Sequence, residues 1–298
     1  MMKQDATWLV VGIVQYAAES DPGRNLQNAL TGIRAAAHNG AELVLLPELH
    51  NHRYFCQSEN PTFFDLAEPI PGPTTQTLAE TARELGLCIV GSVFERRGAG
   101  LYHNTAVVLD RDRGLCGTYR KMHIPDDPGY HEKFYFTPGD QGFVPIDTSV
   151  GRLGVMVCWD QWYPEAARLM ALSGAELLIY PTAIGWDPND TEDEKQRQLD
   201  SWHTIQRSHA IANGLPVACC NRVGREVHPD TGSSIDFWGS SFVCGPQGEP
   251  LWQANTDRPD VGVVRVDRAR SEEVRRIWPF LRDRRIDAYP DLVKRARD

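Results

Sequence analysis

This chain has 298 residues, of which 41% are hydrophobic and 24% are charged, and its formal net charge at pH 7 is -9. These values are typical of a soluble globular protein, and the acidic balance makes nucleic acids and anionic membranes unfavourable partners. No apolar run approaches the roughly 20 residues that a membrane-spanning helix needs, so no such helix is predicted.

The N-terminal stretch, residues 1–7, is polar and lacks the apolar core of a secretory signal. Seven cysteines are present: Cys56, Cys88, Cys116, Cys158, Cys219, Cys220 and Cys244. An odd number without a C-x-x-C motif or a regular spacing does not indicate a disulfide framework. We therefore expect a cytoplasmic protein with reduced thiols.

Strand-like and helix-like patterns alternate along the chain. In chain order we predict strand 8–16, helix 25–39, strand 42–46, helix 74–85, strand 87–94, a hairpin of strands 102–109 and 114–119, strands 144–146 and 153–157, helix 165–172, strand 177–180, helix 199–212, and strands 217–220, 240–244, 250–252 and 261–266. Residues 123–142 are predicted to form a long functional loop, and 187–194 an acidic surface segment. The alternation predicts one mixed-sheet α/β domain over residues 1–298, with helices outside. The charged tail, 271–298, carries aromatic residues and is expected to pack on a neighbouring subunit.

The most informative residue is Cys158, which follows the apolar run 153–157 and precedes a helix predicted to begin after Pro164. A thiol at such a junction is expected at the open end of a sheet and near the positive end of a helix. That setting lowers the pKa of a thiol and exposes it to a substrate. Buried cysteines also serve as small hydrophobic residues, so Cys158 alone does not establish catalysis.

Two further reactive residues stand where predicted strands end. Glu48 follows the apolar strand 42–46, and Lys121 follows the strand 114–119. Each residue alone is more typical of a surface carboxylate or a solvated lysine. Together with Cys158, however, they supply a base, a positive group for a developing oxyanion and a nucleophile, which is what thiol-dependent amide hydrolysis requires.

The segments around these three residues are Pro47-Glu48, Tyr119-Arg120-Lys121-Met122-His123-Ile124-Pro125, Cys158-Trp159-Asp160 and Tyr163-Pro164-Glu165. In these motifs, and over about residues 10–266, the chain resembles the nitrilase superfamily of carbon–nitrogen hydrolases. The resemblance implies a four-layer αββα sandwich with mixed β-sheets. It also implies a triad in which Glu48 is the general base, Lys121 stabilises the oxyanion and Cys158 is the nucleophile. Glu132 matches a second glutamate of the family, which orients the lysine and the substrate.

Several other segments resemble a subfamily of amidases that hydrolyse the ureido group of a small cationic N-carbamoyl amine through a thiocarbamate intermediate. Tyr54 lies in one of them, and another is Asn221-Arg222-Val223-Gly224. Tyr54 and Trp159 are candidate substrate-binding residues, and the resemblance implies that the Trp159 backbone N–H helps to bind the oxyanion. A desolvated substrate cation needs a carboxylate partner. Asp187 is the first candidate, although it could simply begin a turn. Asp236 is the second, although it could be a solvated strand residue.

Alternative interpretations stay open at this point. The same triad would suit an aliphatic amidase, a β-ureidopropionase-like enzyme or a nitrilase, and Gln161, where the family commonly has Arg or Lys, leaves the substrate undecided. A non-catalytic scaffold of the same fold would lack a triad residue, and none is missing.

His50 and His52 lack a third ligand, so we predict neither a metal site nor another cofactor. The family resemblance implies a homo-oligomer that pairs through the helices flanking the cysteine strand.

Overall fold

The computed structural model of the protein describes residues 7–228 and 231–297. Most of the polar N-terminal stretch, on which the expectation of no leader depended, and the last residue of the tail lie outside the described residues. Within the described part, the strands are β1 (Trp8–Gln15), β2 (Leu43–Leu45), β3 (Cys88–Gly98), β4 (Leu101–Asp110), β5 (Gly114–Arg120), β6 (Ile146–Thr148), β7 (Gly151–Val155), β8 (Leu177–Thr182), β9 (Gly185–Trp186), β10 (Val217–Asn221), β11 (Val223–Val227), β12 (Ser234–Trp238), β13 (Phe242–Cys244), β14 (Pro250–Gln253) and β15 (Asp260–Asp267).

The α-helices of the described residues lie between and after these strands. They are α1 (Pro22–His38), α2 (Pro73–Leu85), α3 (Glu132–Tyr135), α4 (Pro164–Leu172), α5 (Glu192–Asn213) and α6 (Arg268–Ile277). Side-chain caps begin several of them: Asp21 accepts a hydrogen bond from Gly23 N at α1, and Thr191 accepts one from Glu194 N at α5. Helix α2 ends at Gly86, whose φ of 69° is a left-handed conformation that glycine adopts without steric cost.

Two six-stranded mixed sheets form the centre of the described chain. The first has the order β15-β1-β2-β3-β4-β5, and the second has the order β14-β13-β10-β8-β7-β6. Strands β1, β2 and β3 are parallel, as are β7, β8 and β10, whereas the outer pairs of both sheets are antiparallel. The parallel strands need crossover connections, which the helices α1, α2, α4 and α5 provide.

The buried apolar residues show how these elements are layered. One cluster fills the space between α1, α2 and the first sheet, with Ala29, Ile33 and Leu78 among its members. A second cluster joins the facing sides of both sheets and continues to α4 and α5, where Met170 and Trp202 belong to it. The order of layers is therefore α-β-β-α, and the prediction of a mixed-sheet α/β sandwich is confirmed.

The structure corrects several details of the predicted elements. The stretch predicted as a continuous loop over 123–142 contains the one-turn helix α3. Helix α5 begins at Glu192, seven residues before the predicted start, because its polar first turns carry no apolar periodicity. A small three-stranded sheet in the order β11-β12-β9 was not predicted. Helix α6 begins before the predicted start of the tail. None of the described helices is long and apolar enough to cross a membrane.

Candidate active site

The carboxyl ends of three strands meet at one edge of the two sheets. Glu48 follows β2, Lys121 follows β5, and Cys158 follows β7 from the opposite sheet. The Glu48 backbone N–H donates to Thr182 O at the end of β8, which joins the two sheets at this edge. All three triad side chains are buried, with Glu48 and Lys121 at 0% and Cys158 at 5% exposure. The fold thus brings together the three residues that the sequence analysis singled out.

The Lys121 ammonium lies between two carboxylates. Its Nζ donates to Glu48 Oε1 at 2.8 Å and to Glu132 Oε2 at 2.6 Å. Burial alone lowers the pKa of Lys121, but the charges of Glu132 and Glu48 raise it more, and the net result lies well above the usual 10.5. Lys121 is therefore a permanent cation, and an ammonium has a third N–H that can point at a substrate oxygen.

The two oxygens of Glu48 have different surroundings. Oε1 accepts from Lys121 and from Asn104 Nδ2, the latter at 2.6 Å. Oε2 is buried and has no hydrogen-bond partner among the described residues. A buried carboxylate oxygen without a donor is unfavourable unless a ligand or a reacting group supplies one. Glu48 therefore presents one anchored oxygen and one oxygen available to take a proton.

Glu132 stands on the other side of Lys121. Its Oε1 accepts from the Tyr54 hydroxyl at 2.6 Å, and its Oε2 accepts from Lys121. Burial raises the pKa of Glu132 to about 7, and the nearby charge of Glu48 adds to the rise, while Lys121 opposes it. Tyr54 is 1% exposed and does not line the cavity described below, so it contacts the carboxylate and not the space open to a ligand.

Cys158 sits in a strained turn at the start of a short 3₁₀ helix, Cys158–Trp162. Its φ is +43°, a left-handed conformation that is uncommon for a residue with a side chain, and such strain is concentrated at functional sites. Its Sγ lies 3.7 Å from Ala183 O. The expectation of a lowered thiol pKa is wrong. Burial raises the pKa of Cys158 well above 9, and Glu48 and Glu132 raise it further, while Lys121 and the contact with Ala183 O oppose them.

Asp160 holds this turn in place although its side chain is fully buried. Its Oδ2 accepts from Val157 N at 3.0 Å and from the Tyr119 hydroxyl at 2.9 Å. Its Oδ1 accepts from His123 N at 3.0 Å and lies 2.7 Å from His123 Nδ1. The carboxylate therefore ties the turn that carries Cys158 to the segment that carries Lys121.

A cavity of about 770 Å³ opens onto this group of residues, and Cys158 and Glu132 form part of its wall. Three aromatic residues, Trp159, Trp162 and Trp238, line it together with Tyr130. Five acidic residues and one basic residue also lie on its wall: Asp127, Glu132, Asp187, Asp190, Glu194 and Arg197. The cavity is therefore apolar and aromatic with a predominantly negative rim, and a small cation would be favoured there.

The structure separates the four candidate substrate-binding residues. Trp159 and Asp187 line the same cavity as Cys158. Tyr54 lies behind Glu132, as described above. Asp236 does not join the group, because Arg225 holds its carboxylate with two hydrogen bonds and both residues line a different depression. The Asp187 carboxylate is exposed, and its Oδ1 accepts from Asn189 N at 2.8 Å.

Three buried residues near the site were not given a role from the sequence. Asn104 lies in the apolar strand β4, where nothing in the pattern marks it. Asp160 and Arg222 both lie in segments that carry the family resemblance, but nothing in the local sequence reveals their contacts. His50 is buried with its Nδ1 2.8 Å from Ser92 O, and the described residues contain no group of three or more side chains arranged to hold a metal ion.

Known proteins resemble this chain over nearly its whole length. The model of the carbon–nitrogen hydrolase family matches residues 10–276. An N-carbamoylputrescine amidase from Solanum lycopersicum is 42% identical over 288 residues, which cover 96% of this chain and 95% of the relative. A citrullinase from Francisella tularensis is 39% identical over 286 residues, covering 96% and 98%. The crystal structure of a carbon–nitrogen hydrolase from Helicobacter pylori has a TM-score of 0.94 and 52% identity, covering 97% of this chain and 100% of that chain.

Proposed function

Because this chain belongs to the carbon–nitrogen hydrolase family of the nitrilase superfamily, and is thus a hydrolase of non-peptide carbon–nitrogen bonds, we propose that its substrate is N-carbamoylputrescine. The products are putrescine, carbon dioxide and ammonia. The N-carbamoylputrescine amidase relative, at 42% identity over nearly the whole chain, supports this substrate. Predictions of the superfamily and of an amidase made from the motifs are confirmed by the family match.

One observation carries the mechanism. Glu48 Oε2 is buried without a hydrogen-bond partner among the described residues, in a site that also contains a protonated thiol and a permanent ammonium. A general base must have an oxygen free to accept the proton that it removes. The neighbouring Oε1 is held by Asn104 and Lys121, so the free oxygen is fixed in place.

In the first half of the reaction, Glu48 takes the Cys158 proton as the thiolate attacks the ureido carbonyl carbon. The carbon–sulfur bond forms, and the carbonyl oxygen becomes an oxyanion that accepts from Lys121 and from the Trp159 backbone N–H. The raised pKa of Cys158 keeps the thiol protonated until a substrate is present. When the oxyanion collapses, the bond to the terminal nitrogen breaks, and Glu48 returns the proton to the departing ammonia. A thiocarbamate on Cys158 remains.

In the second half, water replaces ammonia beside Glu48. Glu48 takes a proton from the water as the oxygen attacks the thiocarbamate carbon, and the oxyanion is again held by Lys121. The carbon–sulfur bond breaks and Cys158 regains a proton. The released carbamate loses carbon dioxide and leaves the amine. Glu132 keeps Lys121 oriented in both halves, because its Oε2 accepts from the ammonium at 2.6 Å.

The charge of the cavity wall supports a cationic substrate. Asp187, Asp190, Glu194 and Asp127 all lie on it, against one guanidinium, that of Arg197. Arg197 is already paired with Glu194 at 3.0 Å. We assign Asp187 to the distal ammonium of the substrate, because it lines the cavity and Asp236 does not. Trp159 supplies part of the apolar wall for the methylene chain.

Citrulline is a second candidate substrate, because the chain is also 39% identical to a citrullinase and Arg197 offers a guanidinium to an α-carboxylate. Citrulline carries the same ureido group but adds a negative charge. The acidic wall and the Glu194–Arg197 pair favour the substrate without a carboxylate.

The test is ammonia release from N-carbamoylputrescine, citrulline, N-carbamoyl-β-alanine, glutamine and a simple nitrile, with Cys158→Ala as the control. We expect cysteine-dependent turnover with the highest kcat/KM for N-carbamoylputrescine. A higher kcat/KM for another compound would retain the triad and overturn the substrate. Turnover by folded Cys158→Ala would overturn the mechanism.

The cellular setting belongs to the same proposal. An enzyme that forms putrescine would serve polyamine biosynthesis. All seven cysteines lie within the described residues and are unpaired, which is consistent with a reducing cytoplasm.

A homo-oligomer is expected from the apolar residues exposed along the C-terminal tail, which include Ile277, Trp278 and Leu292. Analytical ultracentrifugation of the full chain and of a Trp278→Glu variant would test that expectation.

A further inference from the structure

We infer that Arg222, a buried residue outside the triad, is a positioning residue that sets where both carboxylates of the active site lie. Arg222 stands between β10 and β11, and it is 1% exposed. It does not line the catalytic cavity. Its contacts nevertheless lead to Glu48 along one route and to Glu132 along another. The inference rests on the proposed roles of Glu48 and Cys158, but it does not depend on the identity of the substrate.

The first route is direct. Arg222 Nη2 donates to the backbone oxygen of Glu48 at 2.6 Å and to that of Leu49 at 3.2 Å. Leu49 has a φ of +47°, which is unfavourable for a residue with a side chain and persists only where neighbours hold it. The guanidinium therefore fixes the backbone at the base and at the strained residue that follows it.

The second route passes through an ion pair. Arg222 Nη1 donates to Glu226 Oε1 at 2.7 Å, and Glu226 Oε2 accepts from the Tyr54 backbone N–H at 2.7 Å. The Tyr54 hydroxyl then donates to Glu132 Oε1 at 2.6 Å. The side chains of Arg222 and Glu226 are each only 2% exposed, so neither charge is screened by solvent.

Aromatic rings hold the guanidinium itself. Its central carbon lies 5.8 Å from the centre of the Tyr54 ring and 5.3 Å from that of Phe237. A planar guanidinium with several fixed donors can hold two carbonyl groups and a carboxylate at once, whereas the compact ammonium of lysine cannot. The contacts of Arg222 thus demand arginine and not merely a positive charge.

Positioning has a measurable consequence at the thiol. The pKa of Cys158 is raised by burial, so alkylation near neutral pH requires a neighbouring base to take its proton. If Arg222 places that base, its loss should slow alkylation of Cys158 without any substrate. A misplacement of about 1 Å in a catalytic group can lower a rate by about 100-fold.

The experiment compares Arg222→Lys with the wild-type enzyme. We expect kcat to fall by about 100-fold with KM within a few-fold, as for a group that is misplaced and not lost from the binding surface. Alkylation of Cys158 by iodoacetamide, followed from pH 6 to 10 by mass analysis of the peptide that carries it, should slow at neutral pH and recover only at higher pH. Arg225→Lys is the matched control, because Arg225 is an exposed arginine three residues further along the chain and is paired with Asp236. The activity of this variant and the alkylation of its Cys158 should match those of the wild-type enzyme.

A second variant guards against misfolding. Replacing both partners, as Arg222→Gln with Glu226→Gln, leaves no buried charge unpaired, so it avoids the main cause of unfolding in a single neutral substitution. It should show the same slow alkylation. Wild-type kcat and wild-type alkylation in a folded Arg222 variant would overturn the inference, as would a change confined to thermal stability.

Glu48→Gln separates this inference from the proposed mechanism. If kcat of Glu48→Gln stays near that of wild type, the assignment of Glu48 as base fails, and the inference fails with it. If Glu48→Gln is slow while Arg222→Lys is normal, the base is correct and only the positioning role is overturned. Tyr54→Phe cuts the route to Glu132 alone, so it should lower kcat while leaving the alkylation of Cys158 closer to wild type.

Discussion

Asp160 Oδ1 lies 2.7 Å from His123 Nδ1, and Asp160 Oδ2 accepts a hydrogen bond from the backbone N–H of Val157, the residue before Cys158. His123 in turn stacks on Tyr163, with the two rings 3.7 Å apart and 4° from parallel. The turn that carries Cys158 is thereby attached, through one buried carboxylate, to the segment that carries Lys121.

Replacing Asp160 with Asn should therefore destabilise the turn strongly, although the two side chains are nearly equal in size. An amide has one acceptor oxygen, so it must give up contacts on one side, and a buried N–H group is left unpaired at a cost of about 1–3 kcal/mol. We expect kcat/KM to fall by about 100-fold and the melting temperature to drop. Tyr119→Phe is the matched control, since it removes only the hydroxyl contact to the same oxygen and should have a smaller effect. Equal effects of the two variants would contradict this account.

Lys121→Met should nearly abolish turnover. In the proposed mechanism the ammonium holds the oxyanion, and one such donor contributes roughly 3 kcal/mol to the stability of the transition state, or about 100-fold in rate. Methionine also leaves Glu48 and Glu132 buried side by side without the cation that both contact. We expect the loss to appear in kcat, measured as ammonia release at saturating substrate. Unchanged kcat with raised KM would instead assign Lys121 to binding.

Asp187→Asn should raise KM for the cationic substrate about fivefold and leave kcat nearly unchanged. The expected change is modest because the carboxylate is exposed, and exposed ion pairs contribute up to about 1 kcal/mol. A neutral carbamoyl analogue of the same length should show no change. Asp236→Asn is the matched control, because Arg225 holds that carboxylate in a separate depression. If both substrates lose affinity alike, Asp187 does not pair with the cation.

The pH dependence of activity should report Glu132. Burial raises the pKa of this carboxyl to about 7, so Glu132 is ionised above that pH and protonated below it. Only the ionised form holds the Lys121 ammonium fully, so kcat/KM is expected to fall as the pH is lowered through about 7. In Glu132→Gln this step should be absent and the overall rate lower. A Glu132→Gln profile that keeps the same step would assign it to another group.

Acid stability should depend on His52, which is buried against the Arg222 region. Burial, with a smaller contribution from Arg222, lowers the pKa of His52 to about 4 from 6.5. Between those values the unfolded chain binds a proton that the folded protein does not. The contribution of buried, neutral His52 to the free energy of unfolding is therefore fully present above pH 6.5. It falls by roughly 3 kcal/mol as the pH is lowered to about 4.

His52→Gln should make the free energy of unfolding less dependent on pH between 6.5 and 4, as measured by urea denaturation at several pH values. His38→Gln, at an exposed position at the end of α1, is the control for replacing a histidine with glutamine. A His52 variant that loses stability on acidification as steeply as wild type would show that other groups dominate.

The sequence by itself determined the mixed-sheet α/β class and put Glu48, Lys121 and Cys158 at strand ends, because both depend on local patterns. Its motifs resemble a family, and that resemblance implied the sandwich and the roles of the three residues. An apolar run followed by Glu48, Lys121 or Cys158 marks a strand end, and strand ends meet at one edge of a sheet. The predicted start of helix α5 was wrong and the small sheet was not predicted. The segments concerned are polar, so they show no apolar periodicity, and tertiary contacts stabilise their structure.

Only the tertiary structure decided how these residues are used. It raised the pKa of the Cys158 thiol where the sequence predicted a lowered one, because burial outweighs the effect of the end of a short helix. It placed Asp187 on the wall of the cavity that Cys158 also lines, and it paired Asp236 with Arg225. It also joined Arg222 to Glu48 across 174 positions of the chain. Burial and contacts between distant segments set these properties, and neither is written in the local order of residues.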